Sequence, residues 1–241
     1  MSEALLTLQD VHTDIEQYHI LHGVSMEVPR GGVTMLLGRN GAGKTTTLRT
    51  IMGLWKARQG AVTLEGQDIS KINTPDISQL GIAYVPENTG LFTDLSVEEN
   101  MILAARSGKM NEDRLDWIFS LFPAMKTFWS LPAGNLSGGQ KQMLAISRAI
   151  IEPRKLLIVD EPTKGLAPAI IQALTAAFEE LKKSDTTILL VEQNFAMAKR
   201  LGDTVAVMDD GKIVHTGLMA DLASDNALQE RLMGLSMEAH Q

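Results

Sequence analysis

The chain has 241 residues, 44% of them hydrophobic and 21% charged, which is typical of one large globular domain or of one domain with an added lobe. The net charge of −7 and the lack of a basic run argue against a nucleic-acid surface, which takes most of its affinity from positive charge. The absence of cysteine excludes disulfides, thiolate metal sites and cysteine nucleophiles, and no apolar stretch approaches the roughly 20 residues of a membrane span.

Three apolar segments predict strands in the first part of the chain. Residues 4–11 and 20–28 alternate or run apolar and are joined by a polar stretch, and residues 33–37 form a short, mainly apolar run. The third predicted strand leads directly into a glycine-rich segment.

This segment, Gly38-Arg39-Asn40-Gly41-Ala42-Gly43-Lys44-Thr45-Thr46, fits the pattern G-x-x-x-x-G-K-[ST] of a phosphate-binding loop. Residues 45–52 continue with helix-forming spacing, so the loop lies between a strand and a helix. Such a loop turns its backbone N–H groups inward, and the start of the helix adds partial positive charge. We expect the whole segment to bind a nucleotide, with Lys44 reaching the terminal phosphates and the Thr45 hydroxyl binding Mg²⁺.

The next patterns are short. They predict a strand over 60–66, a helix with Thr74 as its N-cap and Pro75 at its first position, and a buried strand over 82–85.

Residues 93–152 carry no strand pattern. The segment Ser96-Val97-Glu98-Glu99 has the form of a capping box, and apolar residues then recur three or four apart. A further helix is expected over 141–151. The region predicts a helical lobe inserted into an α/β core.

The last third of the chain alternates between predicted strands and helices. Strands are expected over 156–159, 187–191, 205–208 and 212–216, helices over 168–183, 195–201 and 219–237, and a hairpin turn at 209–211.

Two carboxylates follow the buried apolar run at 156–159. A phosphate loop needs an acidic partner for Mg²⁺, and in doubly wound sheets that group lies at the carboxyl end of a neighbouring strand. Asp160 is in the right place for this role. Glu161 points elsewhere and could polarise the attacking water as general base, although both residues could also merely terminate a strand or cap a loop.

A second phosphate-recognition turn is predicted at Leu136-Ser137-Gly138-Gly139-Gln140, just before a helix. One nucleotide does not need two helix N-termini from a single chain at its end phosphate. We therefore expect this turn to contact a nucleotide held by another chain.

The order of the phosphate loop, the segment 136–140 and the segment Leu157-Ile158-Val159-Asp160-Glu161-Pro162 resembles the ABC-type ATPase domain over about residues 5–217. The resemblance implies a P-loop NTPase α/β fold in one domain. Its mixed-sheet core and N-terminal antiparallel β region would cover about 1–92 and 153–217, with a helical subdomain at about 93–152 and a C-terminal helix at about 218–241.

The resemblance also implies head-to-tail dimers that bind two ATP molecules, with Mg²⁺, between the chains. In such a dimer Ser137, Gly138, Gly139 and Gln140 of one chain contact the nucleotide of the other.

Four positions depart from the general pattern of that family. Ile15 stands where an adenine-stacking aromatic is usual, with Tyr18 three residues away. Glu87 replaces a glutamine and could still approach Mg²⁺ or water, and Gln193 replaces the histidine expected to contact the γ-phosphate; an amide can donate there but cannot take up a proton. The loop at 165–168 reads Gly-Leu-Ala-Pro.

The last three departures make the chain similar to one of the two ATPases of branched-chain amino acid importers, a pattern shared by urea and short-amide importers. That similarity implies a second ABC ATPase subunit, transmembrane permease subunits and, indirectly, a solute-binding protein as partners. The similarity also implies a peripheral protein on the cytoplasmic face of the membrane. The N-terminus lacks a signal-peptide pattern, so we expect any membrane association to be through a partner. The alternative is a cytosolic assembly or scaffold factor of the same family.

Two residues stay open at this point. Phe92 could be exposed for a membrane subunit or could belong to the core of the lobe. Lys164 has no interpretation beyond a solvated surface lysine.

Overall fold

The computed structural model describes residues 3–184 and 186–233, which divide into two compact units. The first unit holds the chain up to Leu80 and again from Thr187 onward, and the second holds Gly81–Thr186. Over the described part of the chain, no helix combines the length and the apolar character needed to cross a bilayer.

The first unit begins with an antiparallel sheet in the order β2-β1-β4-β5. Its strands are β1 (Ala4–Ile15), β2 (Tyr18–Pro29), β4 (Ala57–Leu64) and β5 (Gln67–Asp68). The predicted strands at 4–11, 20–28 and 60–66 are present, but β1 and β2 extend through the polar stretch between them. They pair as far as Ile15 with Tyr18, so the connection is a tight hairpin.

A second group of strands in this unit has the order β10-β9-β3-β8. It consists of β3 (Val33–Gly38), β8 (Thr187–Val191), β9 (Thr204–Asp209) and β10 (Lys212–Leu218). β3 runs parallel to both β8 and β9, and β10 returns antiparallel to β9. The predicted hairpin turn is confirmed, because Asp210 and Gly211 both have positive φ, as a two-residue hairpin turn of this kind requires.

The first unit also contains several helices. They are α1 (Lys44–Ile51), α2 (Thr74–Gln79), α8 (Phe195–Leu201), α9 (Met219–Ser224) and α10 (Asn226–Met233). The prediction of Thr74 as the N-cap of α2 is wrong by one residue, because Asn73 is the N-cap.

The predicted final helix at 219–237 is also wrong in its continuity. Asp225 has an extended backbone and separates α9 from α10, and its side chain accepts a hydrogen bond from the Leu228 N–H at 2.9 Å. The part of that prediction beyond Met233 lies outside the described residues.

The second unit combines two parallel strands with helices. β6 (Ile82–Val85) and β7 (Leu156–Asp160) pair in register from Ile82 with Leu156 to Val85 with Val159. The helices are α3 (Val97–Ala104), α4 (Glu112–Leu121), α5 (Pro123–Thr127), α6 (Gly138–Ile150) and α7 (Pro168–Lys182), with a 3-10 turn at Ala133–Asn135.

The helical part of the second unit begins as the sequence indicates. The Ser96 hydroxyl accepts from the Glu99 N–H while the Glu99 carboxylate accepts from the Ser96 N–H, so the predicted capping box is confirmed. α6 starts at Gly138 rather than at residue 141, so the two glycines form its first turn.

Candidate functional site

The glycine-rich loop connects β3 to α1 and depends on glycine at specific points. At Gly38, where φ is 149°, a Cβ atom would overlap the carbonyl oxygen of Met208 on β9. Gly41 and Gly43 have φ of 84° and 105°, a region that L side chains rarely adopt. The loop can therefore curl into a nest of N–H groups at the start of α1, which suits an anion.

Lys44 lies within this loop. Its side chain is only 5% exposed, and its ammonium donates to the carbonyl oxygens of Gly38 at 2.9 Å and Arg39 at 3.0 Å. The amino group is thus held against the loop that the sequence assigns to the phosphates. The neighbouring Thr45 and Thr46 are half-buried in the first turn of α1.

Gln193 comes from the end of β8, which pairs with β3. The Glu192 carboxylate, almost fully buried, accepts from the N–H groups of Gln193 at 3.1 Å and Asn194 at 3.2 Å and fixes the turn. The Gln193 amide then donates to the Asn40 side-chain oxygen at 2.7 Å.

A cavity of about 260 Å³ lies at this point of the first unit. Its lining includes Gly38, Arg39, Asn40 and Gln193. The structure therefore brings together the loop and the residue expected to contact the γ-phosphate. The sequence indicated both, but not the Asn40–Gln193 hydrogen bond.

The carboxylates of the second unit lie at the ends of β6 and β7. Asp160 is fully buried and is the last residue of β7, and the Tyr84 hydroxyl lies 3.5 Å from its Oδ2. Glu161 is 8% exposed and has φ of 45°, a left-handed conformation uncommon for a residue with a side chain. The strand therefore ends at Asp160, and Glu161 belongs to the turn that follows it.

Lys164 contacts two predicted site residues. It is about half exposed, as a surface lysine would be, but its ammonium lies 2.6 Å from Glu87 Oε1 and 3.6 Å from Glu161 Oε2. The hydrogen bond and charge of Glu87, and then the charge of Glu161, raise the pKa of Lys164 above its ordinary value. Sequence reasoning missed this arrangement because it depends on the pairing of β6 with β7.

The second glycine turn caps α6. The Ser137 hydroxyl accepts from the Gln140 N–H at 3.3 Å, and the Gln140 side-chain oxygen accepts from the Ser137 N–H at 2.8 Å. Ser137 and Gly138 are exposed, whereas Gly139 is buried. The turn thus presents a well-formed helix N-terminus of a 13-residue helix to its surroundings.

Gly139 has a packing reason to be glycine. A Cβ at this position would lie 2.6 Å from Ile170 Cγ2 on α7, with two further Ile170 atoms within 3.3 Å. At Gly138 a Cβ would meet only Leu166 Cδ2, at an ordinary 3.6 Å. A side chain can therefore be accommodated at Gly138 but would clash with Ile170 at Gly139.

Gly139→Ala is expected to lower the free energy of unfolding by about 1–3 kcal/mol, because the β-branched Ile170 side chain is stiff and must be displaced. Gly138→Ala is the matched control and is expected to stay within about 0.5 kcal/mol of the unmodified chain. Urea unfolding followed by circular dichroism compares the two. Equal stabilities would contradict the packing argument.

Phe92, left open by the sequence, is 50% exposed. The Arg148 guanidinium lies over its ring at 5.3 Å and donates to the Gly90 carbonyl at 2.7 Å. Burial lowers the pKa of Arg148. Tyr18, near the position of the missing aromatic, is 60% exposed beside the β1–β2 turn.

The chain matches the family model described as ABC transporter over residues 21–164. It is 37% identical to the high-affinity branched-chain amino acid transport ATP-binding protein BraG of Pseudomonas aeruginosa, over 95% of this chain and 100% of the relative. It is 32% identical to the probable branched-chain amino acid transport ATP-binding protein LivF of Archaeoglobus fulgidus, over 96% and 99%.

Solved structures of ATP-binding subunits of ABC transporters have the same fold as this chain. An ATP-binding subunit of an ABC transporter, 31% identical, superposes with a TM-score of 0.79 over 93% of this chain and 94% of that one. The predicted fold class is confirmed: a mixed α/β fold with an antiparallel N-terminal sheet and a largely parallel sheet. The chain therefore belongs to the ABC transporter family, as an ATP-binding and ATP-hydrolysing subunit of the importer type.

Proposed function

We propose that this chain powers the import of branched-chain amino acids by hydrolysing ATP. The proposal that the solute is a branched-chain amino acid is supported by the 37% identity to BraG over the whole length of that relative. The relatives are named as transport ATP-binding proteins, which supports a role in transport. We place the chain on the cytoplasmic face of a membrane, beside permease subunits and a second ATPase.

Nucleotide binding is assigned to the loop Gly38–Thr46. Its inward N–H groups and the Lys44 ammonium would carry the charge of the phosphates, and Gln193 would donate to the γ-phosphate from its place beside Asn40. Both side chains already lie at the loop, which supports these roles.

Mg²⁺ fits the available donors. Within residues 3–184 and 186–233, no group of three or more His, Cys, Asp or Glu residues could hold a metal ion. Mg²⁺ in phosphate-transfer sites commonly takes one or two protein oxygens and completes its shell with phosphates and water. The Thr45 hydroxyl and the buried Asp160 carboxylate are hard oxygen donors of this kind, and Glu87 is a further candidate. When bound, Mg²⁺ would neutralise developing charge on the phosphates.

Glu161 is assigned the remaining step. Its carboxylate would accept a proton from, or orient, the water that attacks the γ-phosphate in line. Ser137, Gly138, Gly139 and Gln140 would contact the nucleotide of a facing subunit, for which the exposed start of α6 supplies backbone donors.

Reconstitution tests this function. The chain is co-expressed with the permease subunits and the second ATPase of a branched-chain amino acid importer, purified and placed in liposomes with the solute-binding protein of that importer. We expect ATP-dependent uptake of leucine, isoleucine or valine. Uptake of urea or short amides instead would overturn the solute, and hydrolysis of ATP with no uptake of any solute through the permease subunits would favour a cytosolic scaffold factor.

A further inference from the structure

The ends of β6 and β7 bring two carboxylates and one cation together. Glu87 and Glu161 each lie two residues beyond the paired residues Val85 and Val159. The Lys164 ammonium contacts both, at 2.6 Å from Glu87 Oε1 and 3.6 Å from Glu161 Oε2. The three side chains form what we call the acid–lysine cluster.

The backbone fixes Lys164 relative to Glu161. The Lys164 N–H donates to the Glu161 carbonyl at 3.2 Å, which closes a turn through Pro162. This turn starts from the left-handed backbone of Glu161. It returns the lysine side chain to the carboxylate three residues earlier, so the contact is built into the local fold.

The two carboxylates differ in their need for the cation. Glu161 is 8% exposed, and a buried carboxylate is costly unless charge or hydrogen bonds compensate it. Glu87 is 46% exposed and could be solvated without help. Glu87 is therefore well placed to anchor the lysine, and Glu161 is the group that gains from it.

We propose that Lys164 is a positioning residue for ATP hydrolysis, held by Glu87 so that its ammonium orients the Glu161 carboxylate. This inference rests on the proposed role of Glu161 in hydrolysis. Lys164 acts through Glu161, so its effect falls on turnover and not on nucleotide binding.

A half-exposed ion pair contributes little to folding stability, so a purely structural role predicts no catalytic effect. A positioning role predicts a large loss of kcat, because even a small displacement of a reacting group slows the reaction strongly. The two roles therefore differ in the kcat of otherwise equally stable variants.

The first experiment compares Lys164→Met with Lys183→Met in the full-length chain. Lys183 is the matched control, because its ammonium also lies 2.6 Å from a glutamate, Glu180, on the exposed surface. We expect Lys164→Met to lower kcat about 5- to 20-fold with KM for ATP within about twofold. Lys164→Arg should restore most of the rate, since it keeps the charge. A kcat equal to that of Lys183→Met would overturn the proposal.

The second experiment tests the anchor. Glu87→Gln should lower kcat in the same way, and the double variant Glu87→Gln, Lys164→Met should be no slower than Lys164→Met alone. If the two effects multiply instead, Glu87 acts independently of Lys164 and the proposed cluster is wrong.

Glu161→Gln separates this inference from the proposed function. If Glu161→Gln hydrolyses ATP at the normal rate, the role of Glu161 fails and the basis of the inference with it. If Glu161→Gln is inactive while Lys164→Met behaves like its control, only the role of Lys164 fails.

Discussion

Lys44→Ala is expected to weaken ATP binding by at least about 100-fold. A hydrogen bond to a charged group contributes about 1.5–3 kcal/mol, and two such bonds to phosphate oxygens correspond to this loss in affinity. Lys44 is suited to make them because its ammonium is already held at the loop, bonded to the carbonyls of Gly38 and Arg39. Titration with a fluorescent ATP analogue measures the dissociation constant directly.

Lys56→Ala is the control for this substitution. The Lys56 ammonium also donates to a backbone carbonyl, that of Ile72 at 2.6 Å, but this contact is away from the loop. Lys56→Ala removes the same charge as Lys44→Ala and should leave nucleotide affinity unchanged within about twofold. Because Lys44→Ala also removes two bonds within the loop, its unfolding curve must be recorded. A folded Lys44→Ala chain with normal affinity would remove Lys44 from the nucleotide site.

The elements around the nucleotide loop could be predicted from the sequence because each carries a strong local signal. β3 is a run of five buried residues, four of them apolar, that ends at a glycine where a Cβ would overlap a backbone carbonyl. The helices at 168–182 and 195–201 likewise lie within one residue of the prediction; the first begins at Pro168, and the Asn194 side chain caps the second. These features depend on neighbours in the chain and need no knowledge of the tertiary structure.

Contacts between residues that follow different strands could not be predicted from the sequence. Gln193 and Asn40 are 153 residues apart and meet only because β8 pairs with β3. Lys164 and Glu87 are 77 residues apart and meet because β7 pairs with β6. A single sequence does not reveal strand order or register, so Lys164 was indistinguishable from any surface lysine.

Competing local signals explain the errors in element boundaries. At α2 both Asn73 and Thr74 are residue types common at the N-cap; the backbone places Asn73 there, although its side chain makes no capping hydrogen bond. At Asp225 a side-chain bond to the Leu228 N–H starts a new helix and overrides the apolar spacing that predicted one long helix.

Glu161→Gln should reduce ATP turnover by about 100- to 10,000-fold, the usual range for loss of a general base. Glutamine keeps the size of the side chain, so the left-handed backbone at this position is unchanged and ATP should bind normally. Binding without hydrolysis should hold two subunits closed around two nucleotides. Size-exclusion chromatography with ATP and Mg²⁺ should then show a dimer that dissociates when ADP replaces ATP.

Glu180→Gln supplies the comparison, since it neutralises an exposed carboxylate paired with Lys183 on the same unit. Its turnover should stay near that of the unmodified chain. If Glu161→Gln instead loses ATP binding, the carboxylate serves the nucleotide or its metal and is not the base. Retained turnover would point to another group, and the acid–lysine cluster would then have no reacting residue to orient.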